Sequence, residues 1–446
     1  MRIVSITAGA AGMFCGSCMR DNTLAAAIIA LGHDALLVPT YTPITVDEPD
    51  RSGRRVFLGG VNVFLQQKSW LFRHTPRFVD SLFNGRGFLR WVGRFAGKTD
   101  YSKLGDLTIS MLRGRHGKQR KEVAKLVDWL RGEIRPDAIL LTNALLSGVV
   151  PALTDALGVP VFTTLQGDDI FLDELPAGDR AKCVGLIRTN DRHTAGYIAT
   201  SHDYADHMAA YLGLDRAKIS VVLPGISLKG HAGPQPRPAD RPPTLGYFSR
   251  IAPEKGFHNV VDAFIRLRQT PGAPAAKFRY AGWLGEKNLH YLREQERRLS
   301  DSGLSADAEH VRCPDLASKV RFMQSVDVLS VPTVYREPKG LSILEAWANG
   351  VPVVQPAHGS FPELIGVTGG GLLVEPNDNR QLSETLLELL RDPARCVELG
   401  RKGYDGVAAN LTARHMAEAT VTVLERGIAP VPVAARQPTR SPSHRG

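Results

Sequence analysis

The feature that most limits what this chain can become is a unit that recurs along it: a short continuously apolar run, a glycine-rich or polar loop, then a stretch with helical spacing. It opens with RIVSITA, the loop GAAGMFCGSC, a helix candidate from Asn22 to Leu31 closed by Gly32, and the run ALLVP. Strands that are apolar throughout, rather than alternating, are buried on both faces, which calls for a parallel sheet covered by crossover helices. DAILLTN, VPVFTTL and YIATS continue the pattern, separated by helical stretches Ser147 to Leu157 and Tyr204 to Leu212. The stretch LKGHAGPQPRPADRPP, residues 228–243, is dense in Pro and Gly with no periodic apolar face and is expected to be a linker. Beyond it the unit resumes, with strands at TLGYFS, KFRYAGW, DVLSVPT and PVVQP. Helices are expected over Asn259 to Arg268, Asn288 to Ser300, Leu341 to Asn349 and Gln381 to Leu390. The expected fold is α/β: two Rossmann-like domains facing each other across a cleft, over 1–227 and 244–427, with a disordered Pro-, Arg- and Ser-rich tail over 428–446.

Charge is placed unevenly. Residues 51–121 carry 16 Lys and Arg against Asp80, Asp100 and Asp106, whereas the whole chain nets +10. An excess of that size attracts something anionic and says nothing about fold. Aromatics interleave with the arginines in WLFRHTPRFVDSLFNGRGFLRWVGRF. Three readings stay open: a solvated face with core aromatics, a peripheral membrane contact through residues 64–121, or a site for an anionic acceptor. Nucleic acid is not expected as a partner. No run approaches a membrane-spanning length and the N-terminus lacks the order of a secretory signal, so the expected location is cytoplasmic, with the inner face of the membrane as a peripheral address. Five scattered cysteines are expected to be reduced thiols. Cys15 and Cys18 form one CxxC, without the second pair or histidines that a structural zinc requires.

Two stretches carry the chemistry. TVYREPKGLSILEAWANGVPVVQP reads strand, loop, helix, strand, with Glu337 and Glu345 eight apart and Gly340 between them. The helix is apolar on nearly every face, so Glu345 needs a partner: a structural cation or a ligand. At the helix start, free N–H groups favour an anion such as a diphosphate, and Gly340 lets the backbone come close; plain turn chemistry also explains a glycine there. In YFSRIAPEKGFHNVVDAF, Arg250 ends a strand and Lys255 precedes a helix. Both can face the cleft at the C-terminal edge of a parallel sheet, where paired cations would neutralise a departing diphosphate; solvated surface cations are the alternative.

These two stretches, in this order, resemble the retaining family 4 glycosyltransferases of the GT-B fold. The likeness extends to PGI at 224–226 and to HGSFPELIGVTGGGLLVEPND, and is weaker at the N-terminal glycine loop and at LGHDALLV. GVNVFLQQKSWLFR is similar to the corresponding part of glycogen and starch synthases. The resemblance implies transfer of a hexosyl unit, with retention and without a metal, from a nucleotide sugar to a saccharide or lipid-linked acceptor. No cofactor is implied; the nucleotide sugar is a substrate. Glu345 would hold the donor ribose, and Glu337 the sugar hydroxyls. Backbone at Lys339, Gly340 and Leu341 would approach sugar and phosphates, Arg250 and Lys255 would grip the diphosphate, and Gly16 would close from the other domain. Front-side substitution, in which the leaving phosphate oxygen takes the acceptor proton, needs no protein nucleophile, which makes Arg250, Lys255 and Glu337 the catalytic candidates.

Two positions depart from the family pattern. Lys339 stands where an aromatic is usual, which leaves the donor sugar open. Gln166, in TLQGDD, stands where a His is often found. It can hydrogen-bond but not titrate, so positioning of donor sugar or acceptor suits it better than proton transfer. Asp168 is a candidate acceptor contact or a helix N-cap. The chain has no D-x-D triplet of the metal-dependent type and no G-x-G-x-x-G, which argues against a nicotinamide dehydrogenase. Two rivals remain: a nucleotide-sugar epimerase on the same scaffold, and a non-catalytic protein that binds anionic surfaces.

Overall fold

A computed structural model describes residues 1–9, 15–53, 57, 101–238 and 240–428. Within them the chain builds two parallel sheets. The first contains β1 (Arg2–Thr7), β2 (Asp34–Pro39), β3 (Ala138–Leu141), β4 (Val161–Leu165), β5 (Gly196–Ala199) and β6 (Ile219–Val221), in the order β2-β1-β3-β4-β5-β6. The second contains β7 (Thr244–Phe248), β8 (Lys277–Ala281), β9 (Ala308–His310), β10 (Val328–Leu329), β11 (Val353–Pro356) and β12 (Gly371–Val374), in the order β12-β11-β10-β7-β8-β9. All pairings are parallel. Three strands escape the sequence pattern, β6, β9 and β12. All three are short sheet edges with partly exposed residues, and only β12, GLLV, is apolar throughout.

In each sheet the order reverses once, between β1 and β3 and between β7 and β10. Connections leaving neighbouring strands there run to opposite faces, which opens a crevice at the C-terminal edge. Arg250 and Lys255 follow β7, and Glu337 to Leu341 follow β10, so these candidate residues lie at the second reversal point. At the first lie Thr142, after β3, and the helix Gly16–Ala30, after β1. That helix starts six residues before the sequence reading placed it. Its first turns bury Cys18, Arg20, Asp21 and Asn22 rather than apolar side chains, and so show no apolar spacing.

The last helix, Ala413–Ile428, follows the second sheet in sequence but packs on the first. Met416, Ala417, Val421 and Leu424 share a core with Ile3, Leu24, Ile28, Phe162 and Ile198. The return crossing is pinned where Ile226 N–H donates to Leu411 O at 3.0 Å and Ala413 N–H donates to Ile226 O at 2.8 Å. The linker does not hang free: Gly233 N–H donates to Ala348 O at 3.1 Å and Ala232 N–H to Asn349 Oδ1 at 3.0 Å. Of the basic segment 64–121, residues 64–100 lie outside the described residues, as does the tail from 429. The helix Tyr101–Leu112 turns Ile109, Met111 and Leu112 into the cores of the first domain. No described helix is long and apolar enough to cross a membrane.

Candidate active site

The loop between β10 and the helix Leu341–Trp347 owes its shape to two glycines. Gly340 caps the helix at φ +63°, in the left-handed region, and a Cβ there would lie 2.8 Å from Leu364 Cδ1. Gly359 has φ +61°, and a Cβ would meet Glu337 N at 2.5 Å and Glu337 O at 2.6 Å. Ser360 N–H then donates to Glu337 O at 2.8 Å. The run HGSFPEL thereby fixes the backbone on which Glu337 stands.

Glu337 is buried and held from several directions. Lys255 Nζ donates to Oε2 at 2.6 Å, the Tyr335 hydroxyl donates to the same oxygen at 2.8 Å, and the N–H groups of Lys339 and Gly340 lie 3.3 Å from Oε1. Lys255 Nζ also donates to the Tyr335 hydroxyl. Burial works to raise the Glu337 carboxyl, but the charges of Lys255 and Lys339 and the hydrogen bonds from Lys255 and Tyr335 outweigh it and bring it down to about 2. Arg250 pairs with Glu254 at 2.7 Å with its side chain about a third exposed, and its charge bears on Tyr335. Lys255 and Glu337 thus meet at the Tyr335 hydroxyl, a residue that nothing in the sequence singled out, while Arg250 is paired with Glu254.

A group whose acidity is strengthened by folding stabilises the fold above its unfolded value and loses that contribution as pH falls toward its folded value. For Glu337 the window runs from about 4.5 down to about 2. We therefore predict that the stability gap between the natural chain and Glu337→Gln, read from urea unfolding, is widest near neutrality and narrows steadily below pH 4.5. A gap unchanged between pH 6 and 3 would contradict the ion pair.

Glu345 sits elsewhere. Buried in the helix, its Oε1 takes a hydrogen bond from Lys319 Nζ at 2.7 Å, and Lys319 also pairs with Asp47 of the first domain. Burial pushes Glu345 up, against the pull of Lys319. The partner anticipated for this carboxylate is therefore a lysine that bridges the domains.

Lys339 crosses the cleft. Its Nζ donates to Gln166 O at 2.5 Å and lies 3.4 Å from Ser17 Oγ. A Cβ on Gly16 would sit 3.4 Å from Leu341 Cδ1 and 3.6 Å from Lys339 Cε, so Gly16 faces the start of the helix Leu341–Trp347 across the cleft. Nearby, Thr200 Oγ1 donates to Pro338 O at 2.6 Å. Gln166 is 3% exposed; its Nε2 donates to Thr142 O at 2.8 Å and approaches Asp21 Oδ1 at 3.4 Å. Asp168 is neither helix cap nor free. Gly167 is the cap, and Asp168 accepts from Ala144 N–H at 2.5 Å and Gln166 N–H at 3.0 Å, with burial raising it to about 6. Both its oxygens tie the first sheet's edge together. A cavity of about 670 Å³ opens between the domains beside this loop, walled by His202, Asp203, Arg336, His358 and Glu363. His202 and Glu363 meet at 2.6 Å and Arg336 and Asp203 at 2.5 Å across it.

Two six-stranded parallel sheets, linked across the cleft by Lys339 and Pro338, have the arrangement of the GT-B class of two-domain transferases. Family comparisons agree: residues 22–225 match the Glycosyl transferase 4-like domain and residues 233–406 match Glycosyl transferases group 1. The chain is a GT-B glycosyltransferase of the family 4 type. Glycogen synthase of Mycobacterium tuberculosis is 26% identical over 295 residues, 65% of this chain and 68% of that one. A GDP-mannose-dependent monoacylated alpha-(1-6)-phosphatidylinositol monomannoside mannosyltransferase of Corynebacterium glutamicum is 28% identical over 192 residues, 42% of this chain and 48% of its own. Among solved structures, sucrose-phosphate synthase of Thermosynechococcus elongatus has a TM-score of 0.68 at 18% identity, covering 96% of this chain and 99% of that one. Anabaena HepE, in complex with UDP and glucose, has a TM-score of 0.65 at 16% identity, covering 96% of this chain and 100% of that one. At these identities the structures speak for the fold.

Proposed function

We propose that the chain moves a hexosyl unit, with retention and without a divalent metal, from a nucleoside diphosphate sugar to a saccharide or lipid-linked acceptor. The observation that carries this reading is the Lys255–Glu337 pair at the reversal point of the second sheet, with Arg250 in the same segment after β7. Lys255 and Arg250 supply fixed positive charge where the diphosphate leaves, so no metal is needed for that task. Glu337 accepts from the transferred sugar's hydroxyls and holds Lys255 in place. The amides after Gly340 meet the phosphates. Because Glu337 stays ionised and is occupied by Lys255, it is suited to positioning, and the acceptor proton goes to the departing phosphate oxygen.

The relatives differ in donor: HepE is seen with UDP and UDP-glucose, and the Corynebacterium enzyme is GDP-mannose-dependent. A thermal-shift panel of UDP, GDP and ADP sugars is expected to raise the melting temperature by several degrees with one base and little with the others, since ligand at about 100 times its dissociation constant adds about 2.7 kcal/mol. A flat panel at millimolar ligand would remove the reading.

A further inference from the structure

The cleft-facing start of the helix Gly16–Ala30 carries a second, unused binding element. Arg20 is 1% exposed, and within the described residues its guanidinium has one side-chain partner, Asp21 Oδ1 at 3.1 Å. Its Nε and Nη2 have no acceptor. Those two nitrogens form one edge of the guanidinium fork, the edge that grips a carboxylate or phosphate with two parallel hydrogen bonds. Buried donors without acceptors are costly, and Asp21 cannot supply the deficit because it also takes hydrogen bonds from Thr142 and Gln166. Asp21 is moreover pushed up by burial.

Arg20 lies one turn beyond Gly16 and Ser17, on the helix side that Lys339 approaches. Lys339 has only neutral contacts there, the Gln166 carbonyl and the Ser17 hydroxyl, and makes no ion pair among the described residues. Lys255 already occupies the Glu337 carboxylate beside it. At the helix start, hydrogen bonds from Cys18 and the charge of Lys339 favour the Cys15 thiolate against burial. Lys339 stands where the family pattern usually has an aromatic, and the proposed function assigns the diphosphate to Arg250 and Lys255.

We propose that Arg20, through its Nε and Nη2 edge, and Lys339, through Nζ, together receive an anionic group borne by a sugar, so that one of the two substrates is an acidic sugar. The inference rests on the glycosyl-transfer reading. The shared chemistry is a carboxylate or phosphate, and it has two sources: the uronic acid of a nucleotide-linked donor, or the phosphate of a sugar-phosphate acceptor. In the closed arrangement described here the edge is shut off from solvent.

The test is calorimetric titration of the full chain with paired ligands. One pair is the glucose and glucuronate forms of whichever nucleotide the panel selects; the other is glucose and glucose 6-phosphate in the presence of the matching nucleoside diphosphate. One acidic member is expected to bind at least about tenfold tighter than its neutral twin. Preference in the first pair places the charge on the donor, in the second on the acceptor. Arg20→Gln and Lys339→Gln are each expected to reduce the ratio to about twofold or less, a ratio being insensitive to general weakening. Equal binding within both pairs, or a preference that survives both substitutions, overturns the proposal. Should Arg20→Gln fail to fold, Lys339→Gln decides alone. A chain that binds no nucleoside diphosphate refutes the donor reading instead, and the sugar-phosphate pair, titrated without nucleotide, still judges this site.

Discussion

Lys255→Ala is expected to lower turnover, followed as nucleoside diphosphate released from the donor, by about a hundredfold or more, the usual scale for deleting one preorganised charge-stabilising group. It is also expected to destabilise the fold. Lys255 and Glu337 are 16% and 8% exposed at their side chains and 2.6 Å apart, and breaking a buried pair by removing one partner costs about 3–5 kcal/mol because the other charge is stranded. The two losses separate in the double variant Lys255→Ala/Glu337→Gln, which strands nothing. Its urea midpoint should recover most of the deficit while turnover stays lost. A double variant that regains activity along with stability would reduce the pair to a structural prop, and a single variant with near-natural turnover would end the catalytic assignment.

The parts of this site that could be read in the sequence are those built from one local stretch. Lys255 and Glu337 each stand in a loop whose strand, turn and helix are contiguous, and the glycines beside them are required by left-handed backbone, so residue type and spacing report the geometry directly. What escaped is formed by distant segments. Lys319 joins Glu345 to Asp47, 272 positions away, and lies in a helix, Leu316–Gln324, that looks like an ordinary amphipathic surface element. Arg20 and Asp21 were hidden because their turn buries polar groups against the first sheet's edge, the reverse of the apolar spacing that announces a helix. Asp168 is not the helix cap, and the backbone N–H groups that donate to its carboxylate, those of Ala144 and Gln166, come together only on folding. Lys339 stood out as a departure, but that it reaches Gln166 of the other domain follows only from the closed cleft. The same logic applies to the fold: central strands were visible through their apolar runs, three of the four edge strands were not, and the last helix returns to the first domain through a crossing that no local pattern encodes.

The Lys319 bridge sharpens the test of Glu345. If this carboxylate holds the donor ribose, Glu345→Ala should weaken binding of the nucleoside diphosphate by more than about tenfold, the loss of a charged hydrogen-bond acceptor, which titration calorimetry reads directly. If it serves only as a counter-ion for Lys319, the nucleotide will not notice, and Asp47→Ala will resemble Glu345→Ala, since both remove one of the two carboxylates that Lys319 holds. The two carboxylates belong to different domains, which makes the comparison informative. Asp47→Ala leaves Lys319 paired with Glu345 inside the second domain and breaks a link across the cleft, so it should loosen the domains, visible as faster hydrogen exchange around Asp47, and change nucleotide affinity by no more than about threefold. Glu345→Ala strands Lys319 between one partner and an apolar helix, and should lose both stability and affinity. Equal affinities in the two variants would leave the second acid of the motif as a latch rather than a ribose contact, and the nucleotide would then need another anchor on the second sheet.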